Sequence, residues 1–135
     1  MTGTRDISDI YSEYVSCLNR QDWGSLGEYV DEHVRHNDRQ FGLSGYRAML
    51  IEDFEAVPDL RFVIDLLVVN PPYVACRLWF DCHPKADFLG LAVDGRRVSF
   101  AENVIYRFKG GLIDRVWSVV DKTAIERQLD PRPIH

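Results

Sequence analysis

Glu102 falls on the same alternation as Phe100, Val104, Tyr106 and Phe108, so a strand through this segment points one carboxylate the same way as a row of large apolar side chains. A carboxyl group so placed is a candidate general acid or base; the alternative is an interior or interface carboxylate satisfied by an arginine. Asp121 follows Trp117 and Val119 on their parity where the last strand ends. It is either a second acid/base candidate or the N-cap of a closing helix, and the two roles are compatible. His36 and Asn37 end a first short strand, where they either look into a cavity mouth or serve as a surface histidine and a turn asparagine. His83 ends a strand before Pro84, and strict alternation puts it with Trp79, opposite the core, so it reaches the interior only through a bulge. Trp79 and Trp117 read as sheet packing or subunit contact, or as flat rings able to stack on a polycyclic compound.

Other chemistries lack their signatures. No GxGxxG or GxxxxGK[ST] joins a strand to a helix, no GxSxG offers a nucleophile elbow, and neither HExxH nor CxxC occurs. The sequence therefore implies no cofactor and no metal. Cys76 and Cys82, if they share one strand, lie about 20 Å apart, too far to bridge or to hold one ion. Three cysteines without a signal peptide read as free thiols in a reducing compartment, and the expected location is cytoplasmic. The longest apolar run, Leu66–Val69, is far short of a bilayer span, so no membrane partner is expected. The net charge of -5 has the wrong sign for neutralising phosphates, which sets nucleic acid aside.

The elements that must position these residues belong to one domain spanning 1–135, long enough to bury roughly two thirds of its unfolded surface. Ile7, Ile10, Tyr11, Tyr14, Val15 and Leu18 mark one face of an amphipathic helix. Asp22 caps a short second helix carrying Trp23, Leu26, Tyr29 and Val30, and a brief strand over 34–37 comes next. Ser44 caps a third helix with the apolar stripe Tyr46, Met49, Leu50 and Phe54, which ends before Pro58. Then the periodicity changes. Residues 61–69 read as a strand, Asn70-Pro71-Pro72 as a turn, and Val74, Cys76, Leu78 and Phe80 as the buried parity of the next strand. The opposite face carries Tyr73, Arg77 and Trp79, types enriched at interfaces, which predicts a homodimer. After the loop His83-Pro84-Lys85 and a turn near Asp94-Gly95, a long strand runs over 97–108. Lys109-Gly110-Gly111 turns it into an antiparallel strand over 112–120, and a last helix carries Ile125 and Leu129. The order favours an α+β domain with helices on one face of a curved antiparallel sheet, enclosing a pocket.

In this order and spacing, Asn37, Pro58-Asp59-Leu60, His83, Phe88-Leu89-Gly90, Gly95-Arg96-Arg97-Val98, Tyr106-Arg107-Phe108, Gly111-Leu112-Ile113, Trp117, Asp121 and Gln128-Leu129 resemble the SnoaL-like polyketide cyclases (ester cyclases) of the nuclear transport factor two-like superfamily. The resemblance runs from about Ile7 to Leu129. It implies a cone-shaped α+β barrel of the cystatin-like type, one hydrophobic pocket for a small apolar ligand, and metal-free acid/base chemistry. By this analogy Asp121 takes a proton from the carbon next to a carbonyl in an aldol-type ring closure. His83 and Asn37 polarise the carbonyl oxygen, and His36, Glu102, Trp117 and Phe54 line the substrate pocket. A dry pocket raises the Asp121 pKa and strengthens it as a base. Two other readings stand beside this one: an isomerase or dehydratase using Asp121 or Glu102 with His83 or His36, and a non-catalytic dimer that binds a small ligand.

Overall fold

Alternation decides the centre of the molecule. In the strand Val98–Lys109, the side chains of Val98, Phe100, Val104, Tyr106 and Phe108 are buried and Glu102 lies between them on the same face. The computed structural model describes residues 5–130. Its elements are α1 (Ile7–Asn19), a 3₁₀ helix (Trp23–Glu28), β1 (Val30–His36), β2 (Arg39–Gln40), α2 (Gly42–Ala56), β3 (Val63–Asn70), β4 (Tyr73–Cys82), β5 (Asp87–Phe88), β6 (Leu91–Ala92), β7 (Val98–Lys109), β8 (Leu112–Val120) and α3 (Lys122–Leu129).

Six strands form one curved sheet in the order β2-β1-β8-β7-β4-β3, and β5 pairs with β6 in a separate small hairpin. Among the described residues the large sheet ends in two unpaired edge strands, β2 and β3, and does not close into a barrel. Nor is it wholly antiparallel, because β1 runs parallel to β8. That pairing corrects the expectation of a purely antiparallel sheet. β8 is the return arm of the β7–β8 hairpin, so its outer edge is free, and β1 occupies that edge. Register shifts between Ile64 and Leu66, between Arg107 and Phe108, and between Val30 and Arg35 mark irregularities of the kind that bend strands locally.

The helices cover the inner face. Tyr11, Tyr14 and Leu18 of α1, and Tyr46, Leu50 and Phe54 of α2, are buried against the even-numbered side chains of β4 and β7. Asn19 fastens α1 to the approach of β3, its side chain donating to Phe62 O at 2.9 Å and accepting from Phe62 N at 2.8 Å. Gln128 fastens α3 to β7 in the same two-sided way, at 2.6 Å to Ser99 O and 2.8 Å from Ser99 N. All three cysteines are buried free thiols.

Of the three caps read from the sequence, Asp22, Ser44 and Asp121, only Asp121 is formed. Asp6 caps α1 through Ser8 N at 2.9 Å, and Asp121 caps α3 through Ala124 N at 3.1 Å. Asp22 makes no side-chain cap, since the chain enters a 3₁₀ helix at Trp23 rather than an α-helix. Ser44 is not a cap either: α2 begins two residues earlier, at Gly42, whose φ of +69° carries the chain out of the preceding β-hairpin.

Candidate functional site

Between the inner face of the sheet and the helices lies a cavity of about 200 Å³. Its walls come from alternate residues of three strands: Phe80 of β4; Phe100, Glu102, Val104 and Tyr106 of β7; and Val116, Ser118 and Val120 of β8. The roof is one stripe of α2, where Tyr46, Met49, Leu50 and Asp53 recur at i, i+3, i+4 and i+7, joined by Tyr14 of α1. Leu60, Phe62, Phe88 and Leu89 complete the rim, and Leu89 is exposed, so the cavity opens beside the β5–β6 hairpin.

Two carboxyl groups face this apolar space. Burial raises Glu102 to about 7; the Ser118 hydroxyl, bonded to it, pulls the other way, and the negative charge of Asp53 pushes it further up. Burial likewise raises Asp53 to about 6, with Glu52 adding to the shift. Ser118 Oγ also lies 3.3 Å from His36 Nε2, so Glu102, Ser118 and His36 form a short polar chain along one wall. Burial, then the nearby Arg39, holds His36 below its ordinary value, which keeps the ring neutral at pH 7. A neutral His36 with hydrogen on Nε2 donates to Ser118, whose own hydrogen then serves the Glu102 carboxylate. A carboxyl that titrates near neutrality can both take and return a proton at physiological pH.

Of the seven site residues read from the sequence, Glu102 and His36 line the cavity and five do not. Asp121 is exposed and its carboxylate is committed to the first turn of α3. It shares with Trp117 and Val119 the parity that the structure turns to the outer face, and the dry environment assigned to it by analogy is absent. His83 is also outside, with its side chain 53% exposed. Asp59 holds it there, accepting from His83 N at 2.9 Å and pairing with His83 Nδ1 at 2.8 Å. Strict alternation along β4 described His83 better than the resemblance did, because Cys82 takes the buried position.

Asn37 and Asp38 form the β1–β2 turn with φ of +48° and +65°, the left-handed pair that a two-residue hairpin requires. The Asn37 side chain accepts from Ser118 N at 2.8 Å and donates to Ser118 O at 3.3 Å, tying the turn to β8 from outside. Trp117 sits on the outer face too, with Nε1 3.4 Å from Asp38 Oδ1 and the Arg115 guanidinium 5.8 Å from its ring. Phe54 packs into the core against Trp23 and Phe62 rather than lining the cavity.

The sequence reading missed Asp53, Ser118, Tyr14 and Tyr46 as site residues. The signal for Asp53 was present: a carboxylate at the helical spacing of Tyr46, Met49 and Leu50 breaks an apolar stripe. Ser118 likewise shares the parity of Val116 and Val120.

A family model described as SnoaL-like polyketide cyclase matches residues 8–129. Among solved structures, a SnoaL-like polyketide cyclase from Agrobacterium tumefaciens strain C58 is 53% identical, covers 94% of this chain and 100% of its own, and superposes with a TM-score of 0.93. TsrD from Streptomyces laurentii is 24% identical over 98% of this chain and 100% of its own, with a TM-score of 0.81. IdmH from Streptomyces antibioticus is 18% identical over 93% and 99%, with a TM-score of 0.80. No curated protein matches the sequence.

Proposed function

Because this chain belongs to the SnoaL-like polyketide cyclase family, we propose that it closes a ring in a small apolar carbonyl compound by aldol-type chemistry, with Glu102 as the acid/base. The observation that carries this reading is the placement of Glu102: an inward carboxyl at about 7, bonded to Ser118 and surrounded by Phe100, Val104 and Tyr106. Ionised Glu102 takes a proton from the carbon beside a carbonyl, the resulting enolate attacks a second carbonyl of the same molecule, and protonated Glu102 returns its proton to the new alkoxide. A donor in the cavity must hold the enolate charge meanwhile. The modest volume favours a compound of one or two rings over an extended polycycle.

The test uses an aromatic β-keto ester bearing a second carbonyl within reach of ring closure, incubated in deuterium oxide. Deuterium entering the carbon between the carbonyls, followed by a product of unchanged heavy-atom composition with a new ring, is the expected result. Glu102→Gln should lower both by about 10²–10⁴-fold. Loss of water without ring closure would point to a dehydratase, and a shifted double bond to an isomerase. Binding of such compounds with no exchange at all would remove the catalytic reading.

We also propose that a second copy of the chain covers the outer face of the sheet. Val119, Leu66, Val68 and Ile105 are 70%, 58%, 55% and 47% exposed there, around Trp79 and Tyr73. Two ion pairs lie on this face, Arg77 with Asp65 and Arg97 with Asp81, and the Arg115 guanidinium lies over the Trp117 ring. A two-fold contact sets a patch against itself, which suits an apolar patch whose charges are few and mostly paired.

A further inference from the structure

Two tyrosine hydroxyls from different helices meet at the cavity wall, Tyr14 Oη of α1 and Tyr46 Oη of α2, 2.7 Å apart. Both side chains are almost fully buried and both line the cavity. The pair carries two hydroxyl hydrogens, and only one of them can lie between the two oxygens. Among the described residues no third group bonds either hydroxyl. A buried O–H left without an acceptor is costly, so the second hydrogen needs its acceptor inside the cavity. The negative charge of Glu102 acts on both tyrosines, which puts the hydroxyl pair and the carboxyl within electrostatic reach of one bound molecule.

We propose that the Tyr14–Tyr46 pair is the oxyanion-binding half of the site, so that the ligand is a compound whose carbonyl oxygen meets this pair while its adjacent carbon meets Glu102. The proposal rests on the proton-abstraction reading above. In the step it serves, the C–H proton moves to a Glu102 carboxylate oxygen, the C–H electron pair becomes the carbon–carbon double bond of an enolate, and the carbonyl π pair moves onto the oxygen. The free hydroxyl of the tyrosine pair donates to that oxygen, and the hydroxyl behind it polarises the donor. Burial raises both tyrosines well above their ordinary value, so they stay protonated and act as donors rather than acids. Ionised Glu102 and the enolate oxygen never carry charge together, because the proton that leaves carbon neutralises the carboxylate.

The test separates this inference from the reading it rests on. Glu102→Gln imitates the protonated carboxyl of the intermediate, and 4-nitrophenol, whose absorption distinguishes phenol from phenolate, imitates the enolate. The Glu102→Gln protein should bind the probe as phenolate. Adding Tyr46→Phe or Tyr14→Phe should weaken that binding, at least 10-fold for the tyrosine whose hydroxyl donates to the ligand and by a smaller factor for the one behind it, whose loss removes only the polarising neighbour. In the otherwise unaltered chain, the substitution with the larger effect on phenolate binding should lower kcat for deuterium exchange by about 10²-fold with KM nearly constant. Both substitutions keep the ring, and circular dichroism checks that packing survives. Phenolate bound equally by all three proteins, or by none, overturns the oxyanion assignment even where Glu102-dependent exchange persists. Exchange absent from the unaltered chain defeats the cyclase reading, while the phenolate series still decides the role of the tyrosines.

Discussion

Ser118 Oγ lies 3.3 Å from His36 Nε2 while the same serine is bonded to Glu102, so a residue on β8 links the end of β1 to the middle of β7 across the parallel and antiparallel pairings that flank it. The serine is thereby the adjustable member of the site. Its hydroxyl favours the ionised form of a carboxyl that burial holds near neutrality.

Ser118→Ala should move the acid limb of the pH–rate profile upward by about one unit, since a hydrogen bond to a charged group contributes roughly 1.5 kcal/mol and each pKa unit is ~1.4. Exchange measured from pH 5 to 9 checks this. An unchanged limb would mean that the titrating base is not Glu102.

Asp53→Asn should move the same limb downward, because it removes the negative charge that opposes ionisation of Glu102. The opposite signs of the two substitutions, measured on one substrate, distinguish electrostatic tuning from general damage to the cavity.

Stability should carry the same signature. Glu102 at about 7 and Asp53 at about 6 both lie above their ordinary values, so over that interval the folded chain binds more protons than the unfolded one. Their contribution is therefore most favourable below the ordinary carboxylate range and is lost as pH rises through the folded values. Glu102→Gln removes one share of that loss. It should stabilise the protein by about 1–3 kcal/mol at pH 8 and leave it nearly unchanged at pH 4, as read by urea denaturation. A variant no more stable than the parent at pH 8 would show that water reaches Glu102 freely.

Asp121→Ala should cost about 1 kcal/mol of stability through the lost cap of α3, and Asp121→Asn much less, since asparagine caps equally well. Neither should lower turnover once the folded fraction is equalised. A turnover loss in Asp121→Asn with normal stability would return this residue to the chemistry and displace Glu102.

Ile105→Glu, on the outer face, should yield monomers by light scattering while deuterium exchange persists, because the side chain points away from the cavity. A parent chain that is already monomeric at high concentration would refute the self-association.

Period and turn chemistry were enough to read the architecture. The 3.6-residue stripes of α1 and α2, the alternation in β4, β7 and β8, and the Gly110-Gly111 turn each depend on neighbours within a few positions. The same alternation placed Glu102 inward and His83 outward. Long-range pairing was not legible. That β1 would join β8 in parallel depends on which sheet edge is left uncovered once the β7–β8 hairpin forms, and no local pattern encodes that edge. The site was decided there: the β1–β8 pairing brings His36 to Ser118, and the packing of α1 and α2 over β7 brings Tyr14, Tyr46 and Asp53 into the cavity that holds Glu102. A residue's face is set by its own strand or helix, whereas its partners across a cavity are set by how separate elements dock.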